Sequence, residues 1–549
     1  MPQLLRSFLP LHNPIGFSAT DFVELVLTLG IVLFTWLWRP RVATLVENLA
    51  QRTWLCMLLL AALPVALRLA LQAHNPVPTP AVSDDFSYLL LADTLRHIRL
   101  ANPAHPLPQF FETFFVLQEP TYSSIFPLGQ GLVLALGWIV FGHPWAGVAV
   151  SIGALSAMCY WMLLAWVPAE WALLGGLLTA LQFGPLNQWM NSYWGGAVSA
   201  VAGCLVFGAL PRHDGVLLGL GLALQLLTRP FESIFLFLSV LLFRPRLRAS
   251  ITAAVILIPA LGLILLQNRA VTGSWTTLPY MASRYQYGVP TTFTFQPNPV
   301  PHRPMTREQE LDYEIQSKVH GPETDSFGRF VYRLYERLPF YRFFLFPALL
   351  IPVLVYVAAI RDSRSAWVVI TILMFALGTN VYPYFYTHYI AAITCLFILM
   401  SVAGLLTLSQ FVVRRKPVGR DAATIVVILC FTHFLFWYGI HLSGDETLLT
   451  ATDYEAGDAI NYGDPDGRIA INHQLAAQPG GQLVFVRYGA GHTFREWVHD
   501  AADIDASHTV WARDLGALEN EKLLRYYPQR TAWLLEPDAK PPRLVRYQR

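Results

Sequence analysis

Charged residues are scarce in this chain of 549 residues. Asp, Glu, Lys and Arg make up 13% of it, and hydrophobic residues make up 54%. Soluble domains carry roughly 25% charged residues, so the composition indicates a protein that crosses a membrane several times. The net charge is only +2, which excludes a general basic surface for nucleic acid.

Cysteine is also scarce, and its spacing argues against two kinds of site. No two cysteines form a Cys-x-x-Cys pair, and all five lie in apolar segments: Cys56, Cys159, Cys204, Cys395 and Cys430. Neither a disulfide framework nor a zinc site is therefore indicated. The sequence also lacks an internal repeat, a low-complexity tract and a glycine-rich phosphate loop, so a nucleotide site is not supported.

The first apolar segments and their flanking charges predict an orientation. Residues 22–38 and 54–71 are apolar, and the Arg39-Pro40-Arg41 turn between them favours the cytoplasm. No small-residue cleavage site follows the first segment, so we expect an uncleaved anchor. Residues 72–126 then form a long, proline-rich polar loop, which we expect on the outer side.

Seven apolar stretches follow between residues 128 and 267, and several are shorter than the roughly 20 residues that span a bilayer. Some must be tilted, half-length or re-entrant. Arg244, Arg246 and Arg248 mark a cytoplasmic turn. Since residues 72–126 are expected outside and this turn in the cytoplasm, the chain must cross the membrane an odd number of times between residues 127 and 243. Six apolar segments are present there. One segment therefore does not cross, or two form one broken helix.

The remaining apolar segments complete a membrane domain over residues 1–442. A second outer loop is expected at 268–340, and four apolar segments follow it, with basic turns at 361–364 and 414–420. We therefore predict an α-helical polytopic membrane protein with about 11–13 transmembrane helices.

The last part of the chain, residues 443–549, is polar and charged. Strand patterns at 482–486, 509–511 and 531–535 alternate with helical patterns at about 467–477 and 516–526. This alternation is typical of a small α/β domain, which we expect outside the membrane on the extracytoplasmic side.

Two adjacent carboxylates in the first outer loop are the main candidates for chemistry. Asp84 and Asp85 follow Ser83 about a dozen residues beyond an apolar segment. A carboxylate there can accept a proton from an attacking hydroxyl or ligate a metal. Alternatively, Ser83 or Asp84 caps a helix that runs through Tyr88. Both interpretations are compatible, because a helix N-terminus favours a nearby anion.

Other polar groups near the predicted membrane surface are candidates for binding. The segment from Glu119 through Tyr122 to Gly131 is broken by prolines and glycines, as in a cavity lining or a plain interfacial turn. The connection Asn187–Gly196 is rich in Asn, Tyr and Trp, which suit a sugar and also an interfacial anchor.

Three basic residues are candidates for holding an anion. Arg229 lies between two short apolar segments, where an ionisable group defaults to a functional role; alternatively it pairs with Glu232 on one helix face. Arg284 has the planar fork that suits a phosphate. His388 lies near a helix end, where histidine is more often a satisfied hydrogen-bonding group.

Together these features resemble the GT-C superfamily of integral membrane glycosyltransferases, whose members include protein O-mannosyltransferases and lipid A aminoarabinose transferases. The features are the acidic pair Asp84-Asp85, the Pro120-Thr121-Tyr122 element before the next span, many short helices and an outer C-terminal domain. The superfamily usually has Asp-Glu at the acidic pair, whereas this chain has Asp85. The resemblance covers about residues 50–245 and is topological beyond them.

The resemblance implies transfer of a sugar, with inversion, from a polyprenyl-phosphate donor to a lipid, glycan or protein acceptor. Asp84 would be the general base or would position the acceptor, and Asp85 would tune or orient it. Substrate-binding residues would be Tyr88, Glu119, Tyr122, Arg229, Arg284 and His388. The last three are alternatives for the donor phosphate. No residue is assigned to a metal, although some relatives use a divalent metal.

The resemblance also implies a bacterial inner (plasma) membrane protein with an extracytoplasmic active site. Three other classes remain open. A lipid-linked glycan polymerase or ligase would rely on loop arginines rather than on an acidic pair. A transporter would place ionisable residues at the midplane of two repeated halves. A non-catalytic assembly factor would use the C-terminal domain for binding.

Overall fold

The computed structural model describes residues 19–38, 42–80, 82–321, 325–444, 464, 466–492 and 495–548. The Arg39-Pro40-Arg41 turn and residues 445–463, at the start of the predicted outer domain, lie outside the described residues.

The part of the chain before residue 445 consists mainly of helices. The α-helices are Ala19–Trp38, Val42–Ala50, Thr53–Ala70, Ser83–Arg96, Leu128–Phe141, Trp145–Leu163, Ala169–Gln182, Ala197–Arg212, Gly215–Thr228, Glu232–Phe243, Leu247–Thr272, Pro279–Tyr287, Arg307–His320, Phe327–Arg337, Leu350–Ala358, Ser363–Thr379, Thr394–Ser409 and Val418–Ser443. Short 3₁₀ helices cover Pro108–Phe110, Leu338–Phe344, Pro347–Leu349 and Thr387–Ile393.

Several of these helices are suited to cross a membrane. Among the described residues, five helices are long and apolar enough, and one bent pair, Phe327–Phe344 with Pro347–Ala358, would make a sixth. Six shorter apolar helices have 10–17 residues. The prediction of a multi-pass helical membrane protein is confirmed. The predicted count of about 11–13 helices would require the short helices to cross as well.

Close helix packing in the membrane domain depends on small residues. A Cβ atom added at Gly203 would lie 1.7 Å from the Ala392 carbonyl oxygen, and one added at Gly404 would lie 1.9 Å from the Pro352 carbonyl oxygen. Backbones approach this closely only where one partner has no side chain. Gly203 thus brings the Ala197–Arg212 helix against the Thr387–Ile393 segment, which carries His388.

The first long loop, residues 72–126, contains a small antiparallel sheet. Its strands are β1 (Asn102–Pro103), β2 (Val116–Leu117) and β3 (Thr121–Ser124), in the order β1-β3-β2. The Ser87 hydroxyl contacts the Ser124 hydroxyl at 2.7 Å and donates to the Phe115 carbonyl at 2.6 Å. These bonds fix the Ser83–Arg96 helix, and with it the acidic pair, against the sheet.

The C-terminal part forms the predicted α/β unit. Strands β4 (Gln482–Val486), β5 (Thr509–Arg513), β6 (Thr531–Glu536) and β7 (Arg543–Arg546) form one sheet in the order β5-β4-β6-β7. The first three are parallel, and β7 is antiparallel to β6. Helices Arg468–Ala476 and Ala517–Tyr526 complete the unit. The sequence analysis did not predict β7, a short edge strand that begins and ends with arginine.

This α/β unit contacts the helix that carries the acidic pair. The rings of Phe86 and His499 stack with centroids 3.9 Å apart. The amide of Ala502 donates to the Asp93 carboxylate at 2.8 Å. Contacts at both ends of one helix hold it between the C-terminal unit and the membrane domain.

We expect Gly203→Ala to lower the apparent melting temperature of the purified protein, because the added methyl overlaps the Ala392 carbonyl. Overpacking of this kind costs about 1–3 kcal/mol. Gly262→Ala is the matched control, since a Cβ there meets nothing within 4 Å. Equal melting temperatures for the two variants would contradict the described contact.

Candidate functional site

A cavity of about 450 Å³ lies where the two long loops, residues 72–126 and 268–340, meet the ends of several apolar helices. Its charged and titratable lining comes from distant parts of the chain: Asp84, Arg229, Asp312 and His388. Aromatic residues provide most of the remaining wall: Tyr88, Phe114, Phe115, Phe126, Trp194, Tyr280, Tyr384, Tyr386 and Tyr389. The structure therefore brings together four of the predicted site residues, namely Asp84, Tyr88, Arg229 and His388.

The helix that carries the acidic pair begins as predicted, but its side chains do not cap it. The helix spans Ser83–Arg96, and its N-cap is Val82, which makes no side-chain cap hydrogen bond. The alternative role of Ser83 or Asp84 as the cap is therefore wrong. Asp84 lies in the first turn with its side chain available to the cavity.

The two adjacent carboxylates point to different environments. Asp85 is buried, and one of its oxygens accepts a hydrogen bond from the Tyr193 amide at 2.8 Å. Successive residues of an α-helix are about 100° apart around its axis. Asp84 consequently lines the cavity, while Asp85 binds the backbone of the connection between two membrane helices.

The cavity raises the pKa of both acids that line it. Burial, reinforced by the negative charge of Asp85, raises the pKa of Asp84 to about 7. Burial also raises the pKa of Asp312 to about 6. A carboxylate with a pKa near neutrality is well matched to accept a proton under physiological conditions.

Arg229 provides a cation in the cavity at the end of the Gly215–Thr228 helix. Its guanidinium carbon lies 5.3 Å from the centre of the Tyr389 ring. Among the described residues, no carboxylate oxygen lies within 4 Å of this guanidinium, so the ion pair with Glu232 considered above does not form. The charge is thus available to an anion bound in the cavity.

His388 and Tyr88 belong to the aromatic wall. The His388 ring is parallel to that of Tyr386, with centroids 5.6 Å apart, and its edge meets Trp194 at 4.9 Å. Tyr88 stacks on Phe126 with centroids 4.2 Å apart. These contacts give the rings fixed orientations toward the cavity.

A polar array on the second long loop, residues 268–340, faces the same cavity. Gln316 donates to the Asp312 carboxylate at 2.8 Å, one helical turn away. The Gln316 carbonyl oxygen accepts from the Thr291 amide at 3.0 Å and from the Tyr384 hydroxyl. Gln316 is thereby held in one orientation beside the acid.

Three predicted binding residues lie elsewhere. Arg284 donates to the Pro290 carbonyl at 2.9 Å and lines a neighbouring, open cavity of about 390 Å³. Glu119 is largely exposed and pairs with Arg303 at 2.6 Å. The Tyr122 hydroxyl donates to the Asp500 carbonyl at 3.1 Å, so Tyr122 joins the first loop to the C-terminal unit.

The sequence analysis missed Asp312, Gln316, Tyr280 and Tyr384 as members of the site. Asp312 and Gln316 are one turn apart on a helix with a polar sequence, which resembles a solvated face. The sequence signal that pointed to this part of the chain was the high tyrosine content of the second long loop, residues 268–340.

The described residues do not fit a metal site. They contain no group of three or more His, Cys, Asp or Glu side chains close enough to hold an ion. Asp85, the neighbour of Asp84, accepts a hydrogen bond from the Tyr193 amide and does not form a ligand pair with it.

No protein-family model matches the chain, and no curated protein matches it. Among solved structures, it is similar to ArnT from Cupriavidus metallidurans in the apo state, at 12% identity and a TM-score of 0.49, over 89% of this chain and 93% of ArnT. For ArnT bound to undecaprenyl phosphate, the identity is 10%, the TM-score is 0.48, and 90% of this chain and 92% of ArnT are covered.

A further similar structure is the Archaeoglobus fulgidus oligosaccharyltransferase in complex with Zn and sulfate. The identity is 12%, the TM-score is 0.43, and the match covers 88% of this chain and 67% of the other.

The two acids should respond differently to removal. Asp85→Ala leaves the buried Tyr193 amide without its acceptor, which costs about 1–3 kcal/mol, so we expect a lower apparent melting temperature.

Asp84→Ala removes a carboxylate whose pKa rises from 3.8 to about 7 on folding. Between these values the folded state binds more protons than the unfolded state, so this group lowers stability as pH rises.

Asp84→Ala should therefore gain stability relative to the wild type when the pH is changed from 5 to 8. The measurement is the apparent melting temperature of both variants and the wild type at the two pH values. Equal losses for the two variants at both pH values would contradict the different environments of the carboxylates.

Proposed function

We propose that the protein is a membrane glycosyltransferase that takes a sugar from a polyprenyl-phosphate donor. The observation that carries the proposal is the presence of Asp84 and Arg229 in one aromatic-lined cavity. An acid with a pKa near 7 suits proton transfer, and an arginine without a carboxylate partner among the described residues suits a phosphate.

In the proposed reaction, an acceptor hydroxyl attacks the anomeric carbon of the donor sugar. Asp84 accepts the hydroxyl proton while the new carbon–oxygen bond forms. The bond between the anomeric carbon and the phosphate oxygen breaks, and polyprenyl phosphate leaves with the electron pair. Arg229 stabilises the negative charge of the leaving phosphate. Attack opposite the leaving group inverts the configuration at the anomeric carbon.

The remaining lining of the cavity suits a sugar. Aromatic faces such as Tyr88 and Tyr280 provide flat apolar surfaces for a pyranose ring. The Asp312 carboxylate and the Gln316 amide, held by the bonds described above, provide hydrogen-bonding groups for its hydroxyls. His388 packs within the wall and, in this proposal, shapes the cavity rather than transferring a proton.

The apolar part of the donor would leave the cavity on the side of the Arg307–His320 helix. Ile315 and Val319 line the cavity, and their side chains are 38% and 49% exposed. These residues offer a polyprenyl chain an apolar path from the bilayer. We assign the cavity and the C-terminal unit to the extracytoplasmic side of the inner membrane, following the positive-inside pattern of the basic turns.

Asp84→Asn should abolish sugar transfer by the protein reconstituted with polyprenyl-phosphate sugars, because the amide cannot accept the proton. In the wild type, transfer should rise with pH through a midpoint near 7 as Asp84 loses its proton. The control is Asp421→Asn, an exposed acid at the start of the last helix of the membrane domain. Full transfer by Asp84→Asn would overturn the role of this residue.

Arg229→Met should weaken the binding of polyprenyl phosphate itself, because the variant keeps a long apolar side chain without the charge. Loss of a charged hydrogen bond of this kind costs about 1.5–3 kcal/mol, which is roughly ten- to 150-fold in affinity. The measurement is titration of the lipid phosphate in detergent, with Arg284→Met as the control. A larger loss for Arg284→Met would assign the phosphate to the neighbouring cavity.

A further inference from the structure

The Phe327–Arg337 helix, which begins after the second outer loop, has an exposed apolar side. Four large apolar residues on this side are exposed: Phe327 (85%), Val331 (46%), Tyr335 (67%) and Leu338 (61%). Leu338 directly follows the last residue of the helix. Their spacing of four, four and three residues places them on one side of a helix. Four large apolar groups in a row on one exposed side are unusual for a helix surrounded by water.

A second side of this helix is bound to the rest of the protein. Arg333 donates to the Asn380 carbonyl at 3.1 Å, and Arg337 donates to the Thr379 carbonyl at 2.9 Å. In return, the Asn380 amide donates to the Phe330 carbonyl at 2.8 Å. The arginines are thus engaged with the protein, and the apolar row is not turned toward it.

A third side is polar and exposed. Arg329 and Glu336 are both exposed and lie about 100° or more around the helix from the apolar row. The helix therefore has one side for the protein, one apolar side and one side for water. This arrangement is typical of a helix that lies in a membrane surface.

The contacts of the helix also place it beside the end of an apolar helix. Thr379, whose carbonyl binds Arg337, is the last residue of the apolar helix Ser363–Thr379. The segment Phe327–Phe344 is bent by 111° from the apolar segment Pro347–Ala358 that follows it. The helix thus lies at the end of the apolar helix Ser363–Thr379, and it turns away from the apolar segment Pro347–Ala358 instead of forming one straight span with it.

We infer that the Phe327–Arg337 helix lies in the bilayer surface and buries Phe327, Val331, Tyr335 and Leu338 among lipids. Its partner is the boundary between the headgroups and the acyl chains on the side of the membrane that carries the cavity. Tyrosine suits this boundary because its ring is apolar and its hydroxyl can bond to water. Phenylalanine and leucine are typical of the apolar face that such a helix inserts among lipids. The inference does not depend on the proposed transferase activity.

Single nitroxide labels test the inference in the full-length protein reconstituted into phosphatidylcholine–phosphatidylglycerol nanodiscs. Labels are attached to Val331→Cys, Tyr335→Cys and, as the control on the same helix, Glu336→Cys. The five native cysteines are buried, and the labelled wild type gives their background. Collision rates are measured with molecular oxygen, which concentrates in lipid, and with a water-soluble nickel complex.

We expect the ratio of oxygen to nickel collisions at positions 331 and 335 to exceed that at 336 several-fold. Equal ratios at the three positions, with strong nickel access, would place the apolar side in water and overturn the inference. Protection of positions 331 and 335 from both reagents, with spin–spin broadening, would identify a second copy of the chain as the partner and would also overturn it.

Discussion

The hydrogen bond from the Tyr193 amide to the Asp85 carboxylate determines how the cavity is built. It fixes the rotation of the first turn of the Ser83–Arg96 helix, and this rotation leaves Asp84 on the cavity side. The connection that carries Tyr193 is itself fixed by membrane helices. Arg68 donates to the Asn191 side chain at 2.8 Å, and Trp145 donates to the Met190 carbonyl at 2.8 Å. The position of Asp84 is therefore set by apolar helices as well as by the contacts of Ser87 within its own loop.

The electrostatics of the cavity follow from this arrangement. Asp84, Asp312 and Arg229 share an aromatic enclosure in which a charge is poorly solvated. Burial raises the pKa of both acids, so near neutral pH they exchange protons readily. A cavity in which charges are poorly solvated, and which contains a guanidinium, favours ligands that carry a compensating negative charge. A phosphate supplies such an anion.

Much of the architecture followed from the sequence because its signals are local. Apolar runs predicted the membrane helices, and alternating patterns predicted β4, β5, β6 and the two helices of the C-terminal unit. Asp84, Arg229 and His388 were candidates because an ionisable group beside an apolar segment is costly wherever it lies. Their convergence on one cavity supports this argument, although they come from three distant segments of the chain.

The remaining part of the site depends on long-range contacts that no local pattern carries. Asp312 and Gln316 belong to a polar helix. They become part of the cavity wall through long-range contacts of this helix, such as the hydrogen bond from the Tyr384 hydroxyl to Gln316 and the bond from Gln309 to the Thr113 carbonyl of the first loop. Tyr122 and Glu119 lie in a segment that looked suited to a ligand. Instead, Tyr122 bonds to the C-terminal unit and Glu119 pairs with Arg303. Carboxylates and tyrosines occur both in the cavity wall and in these other contacts, so the residue type alone does not distinguish the two.

The stacking of Phe86 on His499 has a consequence for the biogenesis of the protein. The two rings are separated by more than 400 residues of sequence and by every helix of the membrane domain that follows the first long loop. Since domains emerge from the ribosome in order, the helix bearing Asp84 is synthesised long before its packing partner exists. The site can reach its final form only after the last span is inserted and the C-terminal unit has folded. Completion of synthesis and assembly of the cavity are thus coupled events.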